Sequence, residues 1–220
     1  MNFIFRLDSS NSIGSGHAYR CLKLANTLNE NDHKVAFVSQ DLKGNNNLLI
    51  NKNFKLYILK KKNFHTKVKK HYYQWEKGVQ ENDAYNTLKY IKKYKAKFVI
   101  VDHYALSHYW HKIISKHAKL IIIDDFLNKK IYSDLYINYH LIQKKKLKLT
   151  NILNSKCKIL LGPEYALLNK IKYKKTKNLS KRNILIYFGN VDKAGMTNKI
   201  VKLLNKIENH YKFFVIIGKN

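Results

Sequence analysis

Two uninterrupted apolar runs, Phe98-Val99-Ile100-Val101 and Leu120-Ile121-Ile122-Ile123, constrain this chain more than any other feature. Neither alternates polar with apolar residues, so neither suits a strand with one wet face. Runs of this kind belong to strands covered on both sides, the condition of a parallel sheet between helical layers. Further strand-length runs lie at Phe3–Leu7, Lys34–Ser39, Leu56–Leu59, Leu135–Asn138 and Lys158–Leu161. Helix-length stretches stand between them at His17–Asn29, Asn82–Lys93 and Tyr109–His117. In the last, Tyr109, Trp110, Ile113 and Ile114 form a stripe along one face. The alternation predicts an α/β fold with a doubly wound, Rossmann-like parallel sheet.

A second start follows residue 175. Thr176 to Asn183 is polar and reads as a linker. Beyond it come a strand run from Ile184 to Phe188, the turn Gly189-Asn190-Val191-Asp192, a helix over Met196–Glu208 and a strand over Phe213–Ile217. Domains are therefore expected at 1–175 and 184–220, joined by 176–183. The second unit repeats the order of residues 3–39 and reads as an incomplete Rossmann-like domain, because one β-α-β piece rarely makes a whole one.

The Lys+Arg count of 43 against 14 Asp+Glu gives a formal charge of +29. A charge of that size would suit nucleic acid or another anionic polymer. Yet the cations are overwhelmingly lysine, with arginine only at Arg6, Arg20 and Arg182. Readers of nucleic-acid sequence favour the arginine fork. The lysines are scattered among Asn, Ile and Tyr, a composition that A/T-rich codons produce. Base composition thus accounts for the excess, nucleic acid is not the expected partner, and a basic binding module remains the alternative. No apolar run reaches the ~18–20 residues of a membrane span, and the N-terminus enters a strand at once without a signal-peptide pattern. The expectation is a cytoplasmic protein with no membrane partner. Cys21 and Cys157 lack metal-ligand spacing, and Cys21 reads as a small core residue.

Chemistry is expected where strands give way to helices, since open α/β sheets bind ligands at their carboxyl ends. His17 follows Gly14-Ser15-Gly16 at the end of the first strand, and the glycines allow close backbone approach. Asp102-His103-Tyr104 and Asp124-Asp125 close two further strands. Each Asp could cap a turn, orient an imidazole or bind a sugar hydroxyl. The loop lacks both the G-x-G-x-x-G continuation and the Gly-Lys-Ser/Thr ending of a P-loop. No G-x-S-x-G elbow and no His-Glu-x-x-His occurs, so neither an α/β-hydrolase nor a metal site is expected.

Arg6-Leu-Asp8 with Ile13-Gly-Ser-Gly-His17-Ala-Tyr-Arg20-Cys21, then Glu81-Asn-Asp83-Ala84, Val101-Asp102-His103-Tyr104-Ala-Leu106, Ile123-Asp124-Asp125 and Leu161-Gly162-Pro163-Glu-Tyr165 form an ordered series. It resembles the UDP-2,4-diacetamido-2,4,6-trideoxy-β-L-altropyranose hydrolases of pseudaminic acid biosynthesis over about residues 1–170. The resemblance implies a glycosyltransferase-B-like fold and an inverting hydrolysis of a UDP-linked sugar without cofactor or metal. It implies His17 as the base that activates water. Gly14, Ser15, Gly16, Arg20, Asp102, Tyr104 and Asp125 are the expected sugar-side residues, and Gly189, Asn190 and Asp192 the nucleotide-side ones. The family's second turn usually reads Gly-Gly-x-Asp, and Asn190 replaces its second glycine. A related glycosyltransferase, or an inactive remnant lacking the nucleotide pocket, is the alternative.

Overall fold

The structure is a computed structural model that describes residues 1–59, 67–69, 72–141, 152–168, 182–189, 192, 194–206 and 210–218. The chain divides into two compact units, Met1–Asn169 and Lys170–Asn220. Most of the expected linker, along with Asn190, lies outside the described residues.

The first unit is built on strands β1 (Asn2–Leu7), β2 (Lys34–Gln40), β3 (Lys55–Leu59), β6 (Phe98–Asp102), β7 (Lys119–Ile123), β8 (Leu135–Asn138) and β9 (Lys158–Leu161). They form one seven-stranded sheet in the order β3-β2-β1-β6-β7-β8-β9. Every pairing is parallel, as the apolar runs required. The chain moves outward from β1 to β3, returns, and sets β6 on the other side of β1. The strand order therefore reverses between β1 and β6, the position where doubly wound sheets open a crevice for ligands. A short antiparallel hairpin of β4 (Lys67–Lys69) and β5 (Tyr72–Gln74) lies between β3 and the next helix in sequence.

Side-chain alternation along β1 feeds both faces. Phe3, Phe5 and Leu7 join Ala18, Cys21, Leu22 and Ala25 of α1 (Gly16–Glu30) and Ile50 of α2 (Asn47–Asn51). Ile4 joins the opposite core, with Ala84, Leu88 and Ile91 of α3 (Lys77–Tyr94) and Trp110 and Ile114 of α4 (His108–Ile114). In α1 the buried positions 17, 18, 21, 22 and 25 keep helical spacing, and Asp32 just beyond it takes a left-handed φ of 58°. Lys95 ends α3 in the same way at φ 52°.

Helix α3 begins a turn and a half earlier than its apolar period predicts. Its sheet-facing stripe starts with Gln80 and Asp83, polar residues that buried partners satisfy. Conversely α4 stops at Ile114, short of the expected His117. Helix α2 and the hairpin carry no periodic signal long enough to have been foreseen.

One buried charge cluster ties α3 to the sheet. Arg6 points from β1 towards α3, where an apolar side chain would be expected, and is fully buried. Its guanidinium grips Asp83 (Nε–Oδ1 3.1 Å, Nη2–Oδ2 2.7 Å) and Asp8 (Nη1–Oδ1 2.6 Å, Nη2–Oδ2 3.1 Å). Asp83 also accepts from the Trp110 indole at 2.8 Å, and Asp8 from the Gln40 amide at 2.8 Å. Burial alone would neutralise these groups. For Asp8 the Arg6 charge and the His103 hydrogen bond outweigh it and hold the carboxyl below its ordinary range.

The second unit holds β10 (Asn183–Ile186), α5 (Met196–Leu204) and β11 (Lys212–Val215), with the two strands parallel. Both strands start one residue before the expected runs and end two before them, and α5 closes at Leu204 rather than Glu208. The first unit is thus an α/β fold with a doubly wound parallel sheet, as expected. Among the described residues, no helix is long and apolar enough to cross a membrane.

Removing one partner of a buried pair strands the other charge. Asp83→Ala should therefore lower the unfolding free energy by about 3–5 kcal/mol in urea titrations. Lys119→Ala, which breaks an exposed contact to Asp134, should leave the midpoint unchanged.

Candidate active site

The carboxyl ends of β1, β6, β7 and β8 gather at the reversal of strand order. Behind β1 the chain turns through Ser10–Gly14, closed by a 2.8 Å bond from the Gly14 amide to the Ser10 carbonyl. Gly14 adopts φ +90°, which residues with a Cβ rarely reach. Ser15 caps α1 through its backbone alone, and Gly16 opens the helix with open space where a Cβ would stand. The turn delivers His17 into the first helical turn, with its ring 5% exposed.

Three residues of α1 then converge on one carboxylate. His17, Arg20 and Cys21 stand at i, i+3 and i+4, a single helix face, and Asp102 at the end of β6 lies completely buried against it. His17 Nδ1 lies 2.5 Å from Asp102 Oδ1. Arg20 donates Nε to Oδ2 and Nη2 to Oδ1, and the Cys21 thiol donates to Oδ2 at 3.5 Å. Burial opposes ionisation of Asp102, but the neighbouring His17 and Arg20 outweigh it and keep the carboxyl below its ordinary range. Burial and the adjacent Asp102 push the Cys21 thiol up, so it stays a protonated donor. Cys21 is thus a core residue, as its surroundings in the sequence suggested, and also a prop for Asp102.

An ionised Asp102 fixes the His17 tautomer. The Nδ1 contact must be N–H to carboxylate, so in the neutral ring the lone pair sits on Nε2, which has no hydrogen-bond partner among the described residues. An imidazole oriented by a buried carboxylate, with its other nitrogen open, is equipped to take a proton. His103 is the counter-example one residue beyond Asp102. Its Nε2 donates to Asp8 at 2.9 Å and its Nδ1 accepts from the Ala105 amide at 3.2 Å. Both nitrogens are occupied and burial lowers its pKa, so it is a neutral structural link between the site floor and the Arg6 cluster.

The two adjacent aspartates at the end of β7 separate completely. Asp124 turns inward: its Oδ2 accepts from the Phe126 and Leu127 amides at 3.3 and 3.0 Å and from the Tyr136 hydroxyl. Asp125 faces the site, where Arg20 Nη1 contacts both its oxygens at 2.9 and 3.1 Å and the Tyr104 hydroxyl donates to Oδ2. Burial and that hydrogen bond raise the Tyr104 pKa, so the phenol remains a donor. The Tyr104 ring meets His17 edge-on, with centroids 4.4 Å apart.

His17, Arg20, Asp102, Tyr104 and Asp125 therefore form one connected site beside Gly14, Ser15 and Gly16. Arg20 acts there as a strut between two carboxylates. Tyr139 and His140, at the end of β8, complete it and were not foreseen: Tyr139 accepts from Arg20, and His140 Nε2 lies 3.5 Å from Asp125. Their place after a strand run was the available signal. In the second unit Gly189 turns at φ +82°, and Asp192 accepts from the Met196 and Thr197 amides at 2.9 and 2.8 Å, capping α5. Among the described residues no group of three or more His, Cys, Asp or Glu could hold a metal ion.

No model of a protein family matches the chain. Among curated proteins it is 27% identical over 223 residues to an uncharacterised protein of Methanocaldococcus jannaschii, covering 96% of this chain and 41% of that protein. It is 26% identical over 210 residues to the UDP-2,4-diacetamido-2,4,6-trideoxy-β-L-altropyranose hydrolase of Campylobacter jejuni, covering 94% of this chain and 66% of the hydrolase. The chain thus spans less than two thirds of either relative. Among solved structures it resembles MurG of Acinetobacter baumannii, with a TM-score of 0.59 at 12% identity, covering 98% of this chain and 58% of that one. It also resembles a glycosyltransferase of Rickettsia africae, with a TM-score of 0.55 at 12% identity, covering 99% and 68%. These likenesses establish the fold as α/β and glycosyltransferase-B-like.

The buried groups set a pH dependence of stability. His103 and His111 both have pKa values lowered by burial, His111 strongly, so the unfolded chain binds protons below about pH 6.5 that the native state does not. Asp8 and Asp102 add a second loss below about pH 4, because their stabilisation is present above the unfolded carboxylate pKa and disappears as they protonate. Urea midpoints should therefore fall from pH 7 to pH 5 and more steeply below pH ~4. Greater stability at pH 5 than at pH 7 would contradict this.

Proposed function

We propose that the chain hydrolyses a UDP-linked diacetamido-trideoxy sugar, of the type UDP-2,4-diacetamido-2,4,6-trideoxy-β-L-altropyranose, to the free sugar and UDP, as a step of pseudaminic acid biosynthesis. The observation that carries the reading is the His17 Nδ1–Asp102 pair, which leaves Nε2 open at the carboxyl ends of the sheet. Similarity to the Campylobacter hydrolase across 94% of the chain supplies the substrate class.

In this mechanism Nε2 accepts a proton from water as the water oxygen forms a bond to the anomeric carbon. The bond from that carbon to the β-phosphate oxygen breaks, and its electron pair leaves with UDP. Attack from the face opposite the leaving group inverts the anomeric centre. The diphosphate is already a competent leaving group, so hydrogen-bond donors to its developing charge can replace a strong acid. Asp102 stabilises the imidazolium that forms. Tyr104, Asp125 and the Gly14–Gly16 backbone are assigned to the sugar, and Gly189, Asn190 and Asp192 to the nucleotide side. In this reading residues 1–175 are the catalytic domain and 184–220 belong to the nucleotide-binding one. The likeness to glycosyltransferases favours a second reading, in which an acceptor hydroxyl replaces water.

Incubation with the UDP-sugar alone separates the two. A hydrolase releases UDP and sugar in equal amounts without an acceptor, and a transferase releases little. His17→Ala should reduce kcat by about 10²–10⁴-fold with an unchanged circular-dichroism spectrum. Turnover at the wild-type rate in that variant would remove His17 from the mechanism. Gly16→Ala provides a steric test. Its methyl enters open space, so stability should hold or rise by up to about 1 kcal/mol while KM increases.

A further inference from the structure

Lys129 is a buried cation that the mechanism above does not use. It sits five residues beyond Asp124, in the loop after β7, with a side chain only 12% exposed. Its ammonium donates to the Tyr104 carbonyl at 2.7 Å and to the His103 carbonyl at 3.3 Å, and lies 3.6 Å from Asp124 Oδ1. An ammonium has three donors, and three oxygens surround this one. Burial lowers its pKa while Asp124 resists that change.

The loop it belongs to is built to present it. Asp124 spends Oδ2 on the Phe126 and Leu127 amides, which closes the turn and carries Leu127 into a left-handed φ of 50°. The other oxygen, Oδ1, faces Lys129. Lys130, the next residue, offers its carbonyl to the His108 amide at 2.9 Å, so the end of the loop is fastened to α4. A chain segment fixed at both ends thus aims one ammonium at the backbone of the β6 loop.

Tyr104 is the residue gripped. Its ring contacts His17 at 4.4 Å and Phe126 at 4.7 Å between centroids, and its hydroxyl donates to Asp125. The contacts to Phe126 and Asp125 therefore depend on the distance between the β6 and β7 loops, and the seat of the ring against His17 follows from them. Those loops follow neighbouring strands, but the pairing of β6 with β7 ends at Val101 and Ile122. Beyond it, Lys129 is a cross-link from the β7 loop to the Tyr104 carbonyl.

We infer that Lys129 is a positioning residue: by holding the His103 and Tyr104 carbonyls to the β7 loop, it fixes the Tyr104 ring against His17 and its hydroxyl on Asp125. It touches no reacting atom. Only the kinetic part of its test rests on the hydrolase reading, since the placement of Tyr104 can be observed directly.

The protein is labelled with 3-fluorotyrosine, and the Tyr104 resonance is assigned by its loss in Tyr104→Phe. In Lys129→Met, which keeps the apolar stem and removes the donors, that ¹⁹F resonance should shift or split while resonances distant from the loop stay in place. On the UDP-sugar, kcat should fall by about 10–100-fold with KM within about threefold. An unchanged Tyr104 resonance overturns the inference whatever the kinetics do. If the wild-type protein releases no UDP, the hydrolase reading fails and the ¹⁹F result still decides this one. Should Lys129→Met not fold, Lys129→Arg decides by the same readings: it keeps the charge but replaces the compact ammonium with a planar fork, so the Tyr104 resonance should shift.

Discussion

The carboxylate of Asp102 is the point on which the candidate site depends. It is fully buried at the end of a central strand, where an uncompensated charge would be intolerable. Its compensation comes almost entirely from one face of α1, through His17, Arg20 and Cys21. The same contacts that make the charge tolerable orient the imidazole. Stability and the orientation of the ring are not separable here, because both require the helix to start one residue before His17 and to pack on β1 and β2 so that this face meets the end of β6. Gly14, at φ +90° in the preceding turn, makes that start possible.

Beneath this site lies a second buried cluster with a different task. Arg6, Asp8 and Asp83 join β1 to α3, and His103 connects them to the floor of the site through Asp8. Two histidine–aspartate pairs thus share neighbouring positions in the fold, and among the described residues only that of His17 leaves a ring nitrogen without a hydrogen-bond partner. His103 has both nitrogens engaged, whereas His17 has one. A residue type and a carboxylate partner are not enough; the remaining lone pair decides.

Much of the architecture was legible from residue pattern. Continuous apolar runs such as Leu120–Ile123 demanded strands covered on both faces, and the sheet is parallel with cores on both sides. The pattern failed where polar residues face inward. The apolar period places the start of helix α3 at Asn82 rather than Lys77 because its first inward position is Gln80, a polar residue satisfied by Ser107, far away in sequence. Tyr139, His140 and Lys129 escaped notice for the same reason: nothing local marks a polar residue whose partner lies on another strand end. The Asp124-Asp125 pair was located at a strand end, but its division of labour was not visible.

What the sequence determined by itself was therefore local and periodic: which segments are strands, that the sheet is parallel, and that a glycine turn places His17 at a strand's carboxyl end. Backbone sterics and the burial of apolar runs act over a few residues, so they can be read from a few residues. The tertiary structure alone decided that Asp102, 85 positions from His17, is the carboxylate that holds its ring, while Asp124 builds a turn and Asp125 faces Arg20 and Tyr104. Those roles are fixed by direction and distance across the reversal of strand order. Identical aspartates acquire different chemistry only once the strands bring their partners to them.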